Sequence, residues 1–67
     1  MNLIEALQLE IERVKEIVEV YDSLPNNAGL FASTMMKTSI KKAEMNIQFV
    51  DTVGMIQSLN DLKSYEL

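Results

Sequence analysis

Apolar residues recur along the first third of the chain at alternating steps of three and four. Ile4, Leu7, Ile11, Val14, Val18 and Tyr21 form one stripe, widened by Leu3, Ile17 and Leu24. This spacing keeps side chains on one face of a helix with 3.6 residues per turn. Asn2 stands just before the stripe and Glu5 three residues later, the signature of a capping box. The pattern predicts an amphipathic helix over about 2–23. Glu5, Glu12, Glu16 and Glu19 lie opposite the apolar face, with Lys15 one turn before Glu19. That face is broader than one antiparallel neighbour covers. Leu9 and Val20 fall outside it and are candidates for contact with a third helix or a partner.

The period breaks at YDSLPNNAGLF. Pro25 disfavours helical geometry at Leu24 and so ends the first helix. Asn26 or Asn27 is placed to cap the next one through its short polar side chain. Helical spacing returns with Ala32, Met36, Ile40, Ala43, Ile47 and Val50, flanked by Phe31 and Met35, and predicts a helix over about 29–50. The small residues Ala32, Ser33, Ser39 and Ala43 permit close helix approach. Asp51 is a candidate N-cap and Gly54 weakens a helix. Val53, Ile56, Leu59 and Leu62 then repeat every three residues, with Tyr65 near the end, which predicts a third helix over about 52–65. One helix continuing through a kink is the alternative. The expected fold is all-α: a single domain spanning 1–67, built on a long antiparallel helical hairpin plus a short third helix.

Composition narrows what such a fold can do. At 7.6 kDa the core is thin, because folding at this size buries only about 60% of the extended chain's surface. The chain has neither cysteine nor histidine, so disulfides, thiolate zinc sites and imidazole chemistry are absent from its repertoire. Helix packing, or a second subunit, must supply the stability. The formal charge of −4 is uneven. Residues 1–30 hold two bases, Arg13 and Lys15, against six acids, while residues 31–67 hold four of each sign. An acidic first half disfavours nucleic acid as a partner, since phosphate binding needs a basic face. No apolar run is long enough to span a membrane. The start, MNLIEALQLEIE, has neither a basic leader nor a cleavable apolar segment, so a cytoplasmic location is expected.

Candidate chemistry is sparse. Ser33 with Lys37, and Thr38 with Lys42, are hydroxyl–amine pairs one turn apart. No nucleophile elbow surrounds them, and such pairs are common on solvated helices. Glu12, Glu16 and Glu19 could line up carboxylates, but di-metal bundles add histidines and acids from several helices. No catalytic, cofactor-binding or metal site is therefore expected. PNNAG lacks the glycines and the lysine of a phosphate loop and reads as turn chemistry. The uncharged run from Ser23 to Met36 contains Leu30, Phe31, Met35 and Met36, which we take as a possible contact surface. Met35 and Met36 point about 100° apart on a helix, so the two are not expected to be equally buried. The acidic face of Glu12, Glu16 and Glu19 could also meet Lys37 and Lys41 of a second copy.

The segments YDSLPNNAGLF, MMKTSIKKAE and VDTVGMIQSLNDLKSYE resemble small helical proteins of unknown function from bacteriophages and prophages, over about Tyr21 to Glu66. The resemblance rests on turn glycines, apolar spacing and a few polar positions, and it carries no active site. It implies a setting: an accessory phage product acting by protein contact in a bacterial host. The expected function is non-enzymatic protein–protein interaction by a self-associating chain, as a homodimer. The alternative is a phage anti-defence inhibitor that binds a bacterial host protein. A small DNA-associated regulator is a third reading, disfavoured because the last helix offers only Lys63 as a basic residue.

Overall fold

The computed structural model describes all 67 residues. Three helices follow one another: α1 (Leu3–Asp22), α2 (Leu30–Gln48) and α3 (Thr52–Lys63), with a 3-10 turn at Pro25–Asn27 between the first two. Each helix packs against both others, giving an all-α three-helix assembly 38 Å long and 19 by 16 Å across. No helix is long and apolar enough to cross a membrane.

The start of α1 is set by Asn2, whose side-chain oxygen accepts a hydrogen bond from the Glu5 amide at 2.8 Å. One of the unpaired first-turn donors is thereby satisfied. The predicted stripe faces inward. Leu7, Ile11, Val14, Ile17 and Val18 are buried, and Leu3, Ile4 and Tyr21 pack partly covered at its ends. From α2 the core takes Met36, Ile40 and Ala43, and from α3 Met55 and Leu62. These ten residues are the whole apolar core.

The hinge after α1 works differently from the capping expected of it. Leu24 is extended, as the following proline requires (φ −70°, ψ 140°). Asn26 and Asn27, however, both adopt left-handed backbone (φ 58° and 59°), a region that asparagine tolerates better than most residues. They reverse the chain, and Gly29, with no side chain to offer, occupies the N-cap position of α2. Gly29 is needed there for space. A Cβ on it would sit 2.3 Å from the Tyr21 carbonyl oxygen and 2.9 Å from Tyr21 Cβ. The two arms of the hairpin thus meet backbone to backbone.

The second connection is a tight turn, which makes α3 a separate helix. Asp51 caps it by accepting from the Gly54 amide at 3.0 Å. Val50, between Phe49 and the cap, has φ 51°. This left-handed geometry costs an L-residue roughly 1–2 kcal/mol and is an outlier for a β-branched side chain. Val50 leaves the predicted stripe as a result and stands 68% exposed.

The face that α3 buries includes only part of its three-residue repeat. A step of three residues falls short of a full helical turn, so Val53 and Leu62 lie about 180° apart around the axis. Leu62 is buried and Leu59 half-buried, whereas Val53 and Ile56 point to solvent. The face turned inward is Gly54, Met55, Ser58 and Leu62. It is selected by Asn46 of α2, whose amide donates to the Gly54 carbonyl at 2.9 Å and the Ser58 hydroxyl at 2.7 Å.

Gly29→Ala should cost about 1–3 kcal/mol, the range for forcing extra volume into a packed contact. Urea denaturation measures it. An unchanged midpoint would show that Tyr21 and Gly29 are not in contact.

Candidate interaction surface

Polar side chains at three places tie the helices together. Arg13, on the flank of α1, donates from Nε to Glu10 at 2.6 Å, from Nη1 to the Tyr65 carbonyl at 2.7 Å and from Nη2 to the Leu62 carbonyl at 2.8 Å. The last carbonyls of a helix lack internal partners and carry the negative end of its dipole. A planar, permanently charged fork suits both needs. The Tyr65 hydroxyl lies 3.0 Å from Ser39 Oγ of α2. Tyr65 thus joins the end of α3 to both other helices.

The second tie closes the hairpin beside the hinge. Ser33 is fully buried and donates its hydroxyl to one oxygen of Asp22. Lys37 sits 3.1 Å from the other oxygen. Together, the Ser33 hydroxyl first and the Lys37 ammonium second, they hold the Asp22 carboxyl below its ordinary pKa. The Ser33–Lys37 pair considered as a nucleophile and base is therefore joined through a carboxylate, and the hydroxyl is closed off from solvent. The third tie is Asn46 on Gly54 and Ser58. No buried side-chain nitrogen or oxygen is left without a partner.

The charged candidates spread over the solvated faces. Lys15 reaches Glu44 of α2 at 3.4 Å, and Glu12 at 3.9 Å, in place of the expected Glu19. Glu19, Lys37 and Lys41 line a groove between α1 and α2 whose floor is Val18 and Ile40. Glu16 and Val20 line another, together with Glu66 and Leu67. No group of three acidic side chains converges as a metal cage requires. Leu9 is 58% exposed.

Of the apolar shoulder, Met36 belongs to the core, 2% exposed, while Met35, its neighbour a third of a turn away, faces outward. Leu30 and Phe31 are exposed too, Phe31 at 79%. Phe31 and Met35 edge a shallow groove of about 380 Å³ shared with Thr34, Thr38, Ser39, Asp61 and Tyr65. The residues singled out from sequence therefore do not form one surface.

A second exposed apolar group was not among them: Met45, Phe49, Val50, Val53 and Ile56, at the corner between α2 and α3. Its signal in the sequence is charge depletion. Residues 45–60 carry a single charge, Asp51, and that carboxylate is engaged in capping α3. Comparison with family models, curated proteins and solved structures finds no match to this chain.

Two outcomes follow from these ties. Arg13→Lys keeps the charge but loses the fork, so it should destabilise the fold by about 1–3 kcal/mol and speed hydrogen exchange at the Ser64 and Tyr65 amides. Unaltered exchange there would contradict the Arg13 tie. The lowered Asp22 pKa means that the folded chain binds fewer protons than the unfolded one in mild acid. Its contribution is present above the unfolded pKa, about 3.9, and is lost as pH falls through the folded value. Ser33→Ala should raise the Asp22 pKa toward its unfolded value, read by NMR titration, and move acid unfolding to higher pH. An unshifted titration would remove Ser33 as the cause.

Proposed function

We propose that this is a non-enzymatic helical protein that acts by protein–protein contact and associates with itself. The supporting observation is the balance of apolar surface: thirteen large hydrophobic residues are exposed, against nine, with Ala43, in the core. Single exposed apolar residues are ordinary; clusters of them mark contact surfaces. The grooves are open and shallow, and the polar side chains inside the fold are occupied in holding it together. Self-association would also supply stability that so small a core does not.

A second reading, an inhibitor that binds a bacterial host protein, is favoured by the separation of two apolar groups. Phe31 and Phe49 lie near opposite ends of α2, about 27 Å apart along its axis. One end can serve self-association while the other engages a partner. The resemblance to phage and prophage proteins suits such a role in a bacterial cytoplasm.

Sedimentation equilibrium across a concentration series tests the first reading. A monomer–dimer equilibrium reaching dimer at high micromolar concentration is expected. A chain that stays monomeric there would overturn self-association.

A further inference from the structure

We propose that the turn between α2 and α3 is a hinge through which two copies of this chain exchange their last helices. When it opens, α2 and α3 run on as one helix. Each α3 then docks on α1 and α2 of the other copy. This inference rests on the self-association reading and states the contact by which two copies pair.

Two hydrogen bonds stop α2. The Val50 amide donates to the Ile47 carbonyl at 3.1 Å, and the Asp51 amide to the Asn46 carbonyl at 2.9 Å. A stop of this kind needs one residue with left-handed backbone, a position that glycine usually fills. Here the residue is Val50, with φ 51°. A β-branched side chain is strained in that geometry, and a continuing helix would relieve it. Nothing else from Phe49 to Val53 forbids continuation, since the segment has neither proline nor glycine. The first connection is different. Pro25 and the left-handed Asn26 and Asn27 end a helix there with residues suited to ending one.

The inward faces of α2 and α3 are also in phase through the turn. From Ile40 the steps to Ala43, Ile47, Val50, Gly54 and Ser58 are three, four, three, four and four. In one straight helix Ile40 and Ser58 stand eighteen residues apart, which is five whole turns. Ile40, Ala43, Gly54 and Ser58 already face inward, and Ile47 is half-buried. Val50 alone of this stripe is turned out, 68% exposed. A continuous helix returns it to the stripe.

The contacts that hold α3 can be supplied by either copy. Val50 lies midway between Asn46 and Gly54 in sequence. Two continuous helices crossing there antiparallel, about a two-fold axis, bring Asn46 of each copy to Gly54 and Ser58 of the other. Those are the partners it has in the closed chain. Arg13 likewise finds the Leu62 and Tyr65 carbonyls, Ser39 finds the Tyr65 hydroxyl, and Met55 and Leu62 refill the core. The exchanged pair therefore differs from two closed chains chiefly at the turn. There it gives up the Asp51 cap on the Gly54 amide, which in a helix bonds to the Val50 carbonyl instead. It releases the left-handed valine in both chains and lays Val50 of one copy beside Val50 of the other. Dilution favours the closed chain, and concentration favours the exchanged pair.

The test reads the distance between the two ends of the opened helix. Thr34→Cys and Asp61→Cys place spin labels at exposed positions that line one groove in the closed chain, which has no other cysteine. On one continuous helix the same positions are about 40 Å apart. Doubly labelled chain is diluted into an excess of unlabelled chain, so that double electron–electron resonance reports distances within one chain. A short distance is expected at low micromolar concentration, with a separation of about 40 Å growing in as sedimentation equilibrium shows dimer. Val50→Gly should weaken the dimer by roughly tenfold or more and raise the urea midpoint of the dilute monomer, because glycine suits the closed turn. A dimer whose labelled chain keeps only the short distance would overturn the exchange and leave self-association standing. So would a Val50→Gly chain that dimerises as tightly as the unmodified one. An unmodified chain that is monomeric throughout would overturn both.

Discussion

The constraint on which the rest of this structure depends is the size of its core. Ten apolar side chains are buried in a chain of 67 residues. Against them stands the conformational entropy lost in ordering the whole chain. Margins of this kind leave little to fix how the helices are set against one another. Apolar contact is non-directional, and three amphipathic helices of these lengths can be stacked in several registers. What selects one register here is polar.

Each helix pair has its own polar tie, placed where one helix ends. Asp22, at the end of α1, grips Ser33 and Lys37 in the opening turns of α2. Asn46, near the end of α2, grips Gly54 and Ser58 of α3. Arg13 of α1 grips the Leu62 and Tyr65 carbonyls at and just beyond the end of α3. Hydrogen bonds have direction and length, so these three contacts determine which turn of one helix lies against which turn of the next. Two glycines allow the approach. A Cβ at Gly29 would strike Tyr21, and one at Gly54 would come within 2.5 Å of the Asn46 side chain. With the register held this way, few apolar side chains are needed inside, and many remain outside for contact.

Much of the architecture was legible in the residue pattern. The α1 stripe and the caps at Asn2 and Asp51 could be read because they are local, depending on residues within a turn of one another. The identity of the buried face of α3 could not. Gly54 and Ser58 face inward because Asn46, on another helix, binds them, and no feature local to α3 announces that. The roles of Arg13 and Tyr65 were hidden for the same reason, since their partners stand about fifty positions apart in sequence. The candidate surface was half legible. Phe31 and Met35 were found from an uncharged run, whereas Val53 and Ile56 entered only as members of a three-residue repeat that predicted a third helix. The corner went unread, although residues 45–60 are nearly as free of charge as the run that was noticed.

The turn that lets α3 fold back also places Phe49 and Val50 at its outside edge, with Val53 one turn further on. The most direct measurement is an isotope-filtered NOE experiment on a mixture of ¹³C-labelled and unlabelled chain at high micromolar concentration. The account predicts intermolecular NOEs between exposed apolar side chains of two copies. The absence of any intermolecular NOE would contradict it.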